Sequence, residues 1–260
     1  MNQPAKVKIE QLPTGILGLD EILGGGLPRL SFNIIAGAPG SGKTTLAHQF
    51  VFANATPERP ALYFTVMGEP ALKMLRYQQQ YSFFDIDKLH SAVRFVNLTD
   101  VLVKRGLEGI LEAITAEIAA ASPGIVVVDS FRTVVGRSHP HDDPQEMEAQ
   151  NFLQHLALML ASWEATTFLL GEYVESDIRD NPVFTVADGL FWLSQNVEHN
   201  SIVRKLQVMK LRGQASVPGM HTIRITDAGV QAFSRTLGLS SRKTAVSSAR
   251  RLSIGVPGLD

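Results

Sequence analysis

Gly37-Ala38-Pro39-Gly40-Ser41-Gly42-Lys43-Thr44 fits the pattern G-x-x-x-x-G-K-[ST], and its flanks decide how it is read. Residues 30–36 (LSFNIIA) have the apolar, strand-favouring content of a buried β-strand, while residues 45–53 (TLAHQFVFA) continue at helical spacing. A strand, a glycine-rich turn and a helix in that order make a phosphate-binding loop. The glycines permit the tight turn, backbone N–H groups point inward, and the positive end of the helix adds to their pull on an anion. Residues 37 to 45, including Thr45, are therefore expected to hold a nucleoside triphosphate. Lys43 would reach its β and γ phosphates and the Thr44 hydroxyl would ligate magnesium.

Working outward, β-type runs recur with helical segments between them. The runs are 31–36, 61–66, 93–97, 125–129 and 166–171, and the helices are expected near 43–54, 70–81, 106–121 and 144–163. This alternation predicts an α/β fold, a mainly parallel central sheet with helices on both faces. Past residue 185 the pattern changes. Residues 188–194 and 202–212 flank the polar turn 196–200 as an antiparallel hairpin, and a further short strand is expected at 222–226. A Ser/Arg/Lys-rich stretch follows and reads as a linker over 235–251. Residues 252–260 (LSIGVPGLD) echo 12–20 (LPTGILGLD), so the expected organisation is one ATPase-type domain over 1–234, the linker, and the start of a second, similar domain at 252–260.

Ile125-Val126-Val127-Val128-Asp129 is the second chemical element. An acidic residue at the C-terminal tip of a buried parallel strand lies where α/β sheets bind ligands, so Asp129 is expected to share the magnesium with Thr44. The chain has no Asn-Lys-x-Asp element of the kind that selects guanine, which favours ATP. Composition sets outer bounds. The 260 residues contain no Cys, which excludes disulfides and thiolate metal sites. With 24 Lys plus Arg against 25 Asp plus Glu, nothing global points to nucleic acid. No apolar run reaches the ~18 residues of a membrane span, and the expected address is the cytoplasm.

Residues 13–28 leading into the phosphate loop, the strand ending in Asp129-Ser130, Lys210-Leu211-Arg212-Gly213 and Ile225-Thr226-Asp227 together resemble the KaiC family of RecA-like P-loop ATPases. The resemblance implies a ring, a hexamer, with ATP at each subunit boundary, ATPase activity, and Ser/Thr autophosphorylation in some domains. It also implies that Lys210, Leu211 and Arg212 reach a neighbouring subunit's nucleotide, the two cations toward its γ-phosphate, and that Thr226 and Asp227 lie near the nucleotide. Strand alternation places Leu206, Val208, Lys210 and Arg212 on one face, so that an apolar stripe ends in two cations with no obvious anionic partner in their own hairpin.

One departure from the family matters for catalysis. Where KaiC has adjacent glutamates that orient the attacking water, this chain has Met67 and Gly68, and Glu69 is displaced by one position. A one-residue shift reverses side-chain direction along a strand, so Glu69 serves only if the Gly68-Pro70 context turns it back. Glu172, after the strand 166–171, is the other carboxylate within reach, and hydrolysis is expected to be slow. His48 is expected to be a packed residue rather than a proton carrier. His139, His141, Asp142 and Asp143 lack metal-site spacing and suit the N-terminus of the next helix. A DNA motor ranks behind a ring ATPase and behind an ATP-bound scaffold, because residues 131–143 offer only Arg132 and Arg137, offset by Asp142 and Asp143.

Overall fold

The computed structural model describes residues 9–66, 71–130, 144–173, 183–198 and 200–235. Among these, a nine-stranded sheet forms the centre. The strands that the sequence marks by apolar runs are β3 (Phe32–Gly37), β4 (Ala61–Thr65), β5 (Val93–Asn97), β6 (Ile125–Asp129) and β7 (Thr166–Gly171). With β8 (Gly189–Glu198) they pair in parallel in the order β8-β3-β7-β6-β4-β5. The sheet then turns antiparallel through β9 (Ser201–Leu211), β10 (Met220–Thr226) and β11 (Gly229–Phe233). The α/β architecture and its antiparallel extension are as the sequence predicts.

Apolar residues fill both faces of the parallel strands because helices cover both. On one face Ile35, Tyr63, Val127 and Leu170 pack against Leu46, Phe50 and Val51 of α2 (Lys43–Asn54). On the other, Ile34, Phe64, Val128 and Leu169 meet Ile110 and Ile114 of α5 (Thr99–Ala121) and Leu153, Leu156 and Leu160 of α6 (Pro144–Ser162). Helix α2 is buried nearly all round, with His48 and Gln49 enclosed beside its apolar residues. Gln49 is satisfied by donating to the Gly15 carbonyl and accepting from Val230 N at 2.7 Å.

Several boundaries differ from the sequence expectation. The helix expected at 106–121 has an earlier turn from Thr99, and Gly106 (φ 64°, ψ −160°) breaks the helical path between the two parts. The helix expected at 70–81 is α3 (Ala71–Gln78), and a separate α4 (Ile86–Ser91) follows, its Asp87 N–H donating to the Asp85 carboxylate. The β8–β9 hairpin is longer than expected, pairing out to Glu198 with Ser201. Four features went unread: α1 (Leu19–Leu23), the short pair β1 (Gln11–Leu12) with β2 (Leu27–Pro28), the helical turn Val183–Val186, and edge strand β11. The linker from residue 236 and the repeated motif at 252–260 lie outside the described residues.

The apolar stripe on β9 also differs. Leu190 pairs with Lys210 but Phe191 pairs with Val208, so Met209 is an extra residue in a β-bulge. The bulge reverses the alternation, and Leu211, not Lys210, joins Leu206 and Val208 on the core face. Lys210 and Arg212 face the other way.

Candidate nucleotide site

Parallel pairing sets the C-terminal ends of neighbouring strands on one edge. Along that edge β3 delivers the loop 37–44, β7 delivers Glu172, β6 delivers Asp129 and β4 delivers Thr65, in spatial order. This is the edge at which such sheets bind ligands. A cavity of about 260 Å³ lies there, lined by Gly40, Lys43, Thr45, Asp129, Glu172 and Ile225 among others.

The loop's shape depends on two glycines. At Gly37 (φ 149°) an added Cβ would sit 2.0 Å from the Leu193 carbonyl oxygen, so the loop leaves β3 pressed against β8. At Gly42 (φ 103°), which precedes the first turn of α2, a Cβ would meet Ile225 at 2.8 Å. These cradles keep the backbone of residues 37–42 close-wrapped with its amides at the helix N-terminus. Lys43 is buried and its ammonium donates to the carbonyls of Gly37 and Ala38, each at 2.9 Å, so it bridges the loop it would share with a phosphate. Burial lowers its pKa, and the nearby charges of Glu172 and Asp129 oppose that shift.

Asp129 anchors the corner beside the loop. The Thr44 hydroxyl donates to its Oδ2 at 2.9 Å and the Tyr63 hydroxyl donates to the same oxygen at 2.8 Å. Burial raises the Asp129 pKa, opposed by the hydrogen bonds from Tyr63 and Thr44 and by the Lys43 charge, while Glu172 adds to the rise. A hydroxyl and a carboxylate within hydrogen-bond distance of each other, beside a loop of amides, form the hard-oxygen donor set that suits magnesium. The residues present fit the ion.

The remaining sequence-predicted residues fall into three groups. Ser41 is buried inside the loop, with Ala38 and Pro39 exposed on its outer rim. Thr226 ends β10 directly after Ile225 and Asp227 opens the turn to β11; the Asp227 carbonyl accepts from Ser82 N at 2.8 Å and the Thr226 hydroxyl accepts from Ala228 N. Lys210, Leu211 and Arg212 stand apart. Leu211 pairs with Gly189 and Leu206 with Leu193, while Gly37 also pairs with Leu193. The end of β9 is thus about four residues, or ~13 Å, from the level of the chain's own phosphate loop, at the opposite edge of the sheet. Nor are the two cations unpartnered in their hairpin. Arg212 pairs with Asp188 at 3.2 Å, and Lys210 donates to the Thr185 carbonyl at 2.9 Å in the helical turn α7 (Val183–Val186). Met67, Gly68 and Glu69, and His139 to Asp143, lie outside the described residues.

Two residues escaped the sequence reading. Tyr63 looked like one more strand aromatic, and only its alternation onto the face of α2 could have hinted at the bond to Asp129. Arg204 donates from β9 to the Gly40 carbonyl at 3.1 Å, a cation from the same chain at the tip of the loop. Its place on β9, opposite Gln195 of β8, is what brings it there.

Comparison with known proteins agrees with this geometry. The family model described as "ATPase: KaiC" matches residues 12–236. The circadian clock oscillator protein KaiC of Prochlorococcus marinus strain MIT 9313 is 28% identical over 98% of this chain and 51% of its own length. A UPF0273 protein of Methanopyrus kandleri is 24% identical over 86% of this chain and 92% of its own. Among solved structures, a KaiC-like protein from Pyrococcus horikoshii OT3 superposes with a TM-score of 0.73, covering 87% of this chain and all of that one at 22% identity. The chain spans about half the length of the KaiC relatives it matches. No described helix is long and apolar enough to cross a membrane. With a RecA-like sheet, a phosphate loop and an acidic strand tip in register, the chain belongs to the KaiC ATPase family.

Proposed function

We propose that this chain binds ATP with magnesium at residues 37–45 and Asp129, and hydrolyses it slowly at the boundary between subunits of a homo-oligomeric ring, a hexamer. The observation that carries the binding is the convergence of the Lys43-bridged loop with the Thr44–Asp129 pair. Loop amides and Lys43 would bind and orient the phosphates, exchanging the carbonyl contacts of Lys43 for phosphate oxygens. Magnesium, when bound, supplies charge neutralisation on the phosphate oxygens.

The boundary location is supported by the separation of Lys210 and Arg212 from the chain's own loop. Cations at that edge are of no use to the nucleotide of the same subunit, whereas a neighbour in a ring could receive them as an arginine finger does. Asp188 then acts as the rest position of Arg212, held while no phosphate competes for it. Slow turnover follows from Met67 and Gly68 standing where the family carries its water-orienting glutamates. Glu172, next to Lys43 and Asp129, is the described carboxylate best placed to align water, with Glu69 as the alternative. Ser/Thr autokinase activity of a longer protein and a cytoplasmic address belong to the same proposal. The same substitution supports a second reading, an ATP-bound scaffold that signals through partner proteins.

Calorimetric titration, light scattering and phosphate release together test the proposal. Lys43→Ala should abolish ATP binding, ATP should drive assembly, and Glu172→Gln or Glu69→Gln should lower turnover at least ~10-fold. Wild-type ATP affinity in Lys43→Ala refutes the site. A strict monomer at high protein and ATP concentration refutes the ring, and ATP binding without any phosphate release replaces the enzyme by the scaffold.

A further inference from the structure

We infer that Tyr63 is a positioning residue for the metal corner, fixing the Asp129 carboxylate independently of Thr44; the inference rests on the nucleotide-binding reading above. Tyr63 is fully buried on β4, on the face that α2 covers. Strand β4 lies beside β6 with Tyr63 opposite Val127 and Thr65 opposite Asp129, so the tyrosine stands one pleat below the carboxylate on the same face. Its ring length carries the hydroxyl up to Asp129 Oδ2 at 2.8 Å. A phenylalanine would pack the same ring, so the hydroxyl is what the bond to Asp129 adds.

The ring is itself held in place. His48 stacks on it with centroids 4.4 Å apart and planes at 25°, and Phe95 closes the cluster at 5.2 Å from Tyr63 and 5.7 Å from His48. Three packed rings restrict Tyr63 to one orientation, the condition for a donor to aim a carboxylate.

The need for such a donor comes from what surrounds Asp129. Thr44 donates to the same oxygen, but Thr44 would also supply its hydroxyl oxygen to a bound magnesium and could not then be the only group fixing Asp129. Beyond Asp129, on the α3 side, lies a second cavity of about 260 Å³, lined by Thr65, Met74, Tyr77 and Gln78. That cavity also borders Thr44 and Asp129, so a carboxylate not pinned from below has space there to turn toward α3. Tyr63 closes that option from within the core, and its bond to Asp129 would not depend on a bound ion.

The test is binding of a fluorescent ATP analogue to the full chain, titrated with magnesium and repeated in EDTA. Tyr63→Phe should raise the magnesium concentration for half-saturation by about 10-fold or more, the usual range for loss of an outer-shell partner, and leave metal-free binding within about two-fold. His48→Ala, which removes the stack, should shift the magnesium requirement in the same direction by a smaller factor, and His48→Phe should restore it. An unchanged half-saturation in Tyr63→Phe overturns the inference, as does an equal loss with and without magnesium, which would make Tyr63 a packing residue only. A parent chain that binds the analogue in neither condition overturns the nucleotide reading itself, and Tyr63's role with it.

Discussion

Replacing His48 by phenylalanine should flatten the acid side of the protein's stability curve. The imidazole is fully buried on α2 and stacked on Tyr63. Burial therefore lowers its pKa from 6.5 to about 3, with Gln78 opposing the shift. The unfolded chain takes up this proton near its ordinary value, whereas the folded chain resists until far lower pH. Between the two values the unfolded state binds more protons, so stability is complete above the unfolded pKa and is lost as pH falls. At about pH 5 the gap is roughly 1.5 units, or ~2 kcal/mol at 1.36 kcal/mol per unit. For a domain of this size that is about 4–8 °C in Tm. Denaturant or thermal melts of parent and His48→Phe at about pH 7.5 and pH 5 isolate the effect, because every other titrating group is common to both. Any packing offset from the larger ring is present at both pH values and cancels in the difference. The parent should lose about 2 kcal/mol more than the variant between the two conditions. Parallel losses would refute the claim that His48 is held neutral by burial.

Two glycine substitutions should separate fold from site. Gly37→Ala sets a Cβ against a backbone carbonyl and should destabilise the whole chain by several kcal/mol in a denaturant melt, while Gly42→Ala meets only the end of Ile225 and should lower nucleotide affinity with a stability loss of about 1–3 kcal/mol. Arg212→Ala breaks an exposed pair with Asp188, so its effect on stability should stay within about 1 kcal/mol. Turnover should nonetheless fall by about 10³-fold if the cation serves a neighbour's nucleotide, and mixing with subunits that carry Lys43→Ala shows whether the contribution crosses the boundary.

The strongly patterned elements were legible because local chemistry and tertiary role agree there. Apolar runs at 32–37, 61–65, 125–129 and 166–171 are buried on both faces, so their composition alone marks them as central parallel strands. The phosphate loop was legible for the same reason, since glycines at fixed spacing are demanded by contacts such as that of Gly37 with Leu193. What escaped was structure made by tertiary contact. Strand β11 contains only Gly229–Phe233 and exists because β10 templates it. Tyr63 has the sequence signature of any strand aromatic, and its bond to Asp129 depends on the pairing of β4 with β6, strands separated in sequence by two or more helices.

The hairpin β8–β9 shows why alternation is a weak guide over long strands. A single extra residue at Met209 reverses every side chain beyond it, and nothing in the local sequence marks the position. The consequence is functional. Without the bulge, Lys210 would point into the core beneath α2 and Leu211 to the opposite face; with it, Leu211 seals the core and the two cations turn toward the segment 184–188. The charges are thereby stored against Asp188 and backbone carbonyls, at the edge remote from the chain's own loop. Cations held in this way at the end of an antiparallel strand stand at fixed height, which is what the proposed role toward a neighbouring subunit's nucleotide needs. Deleting Met209 removes the extra residue yet keeps Leu211 on the core face and Lys210 and Arg212 opposite it, so turnover should fall less than in Arg212→Ala; a larger loss would refute the register argument.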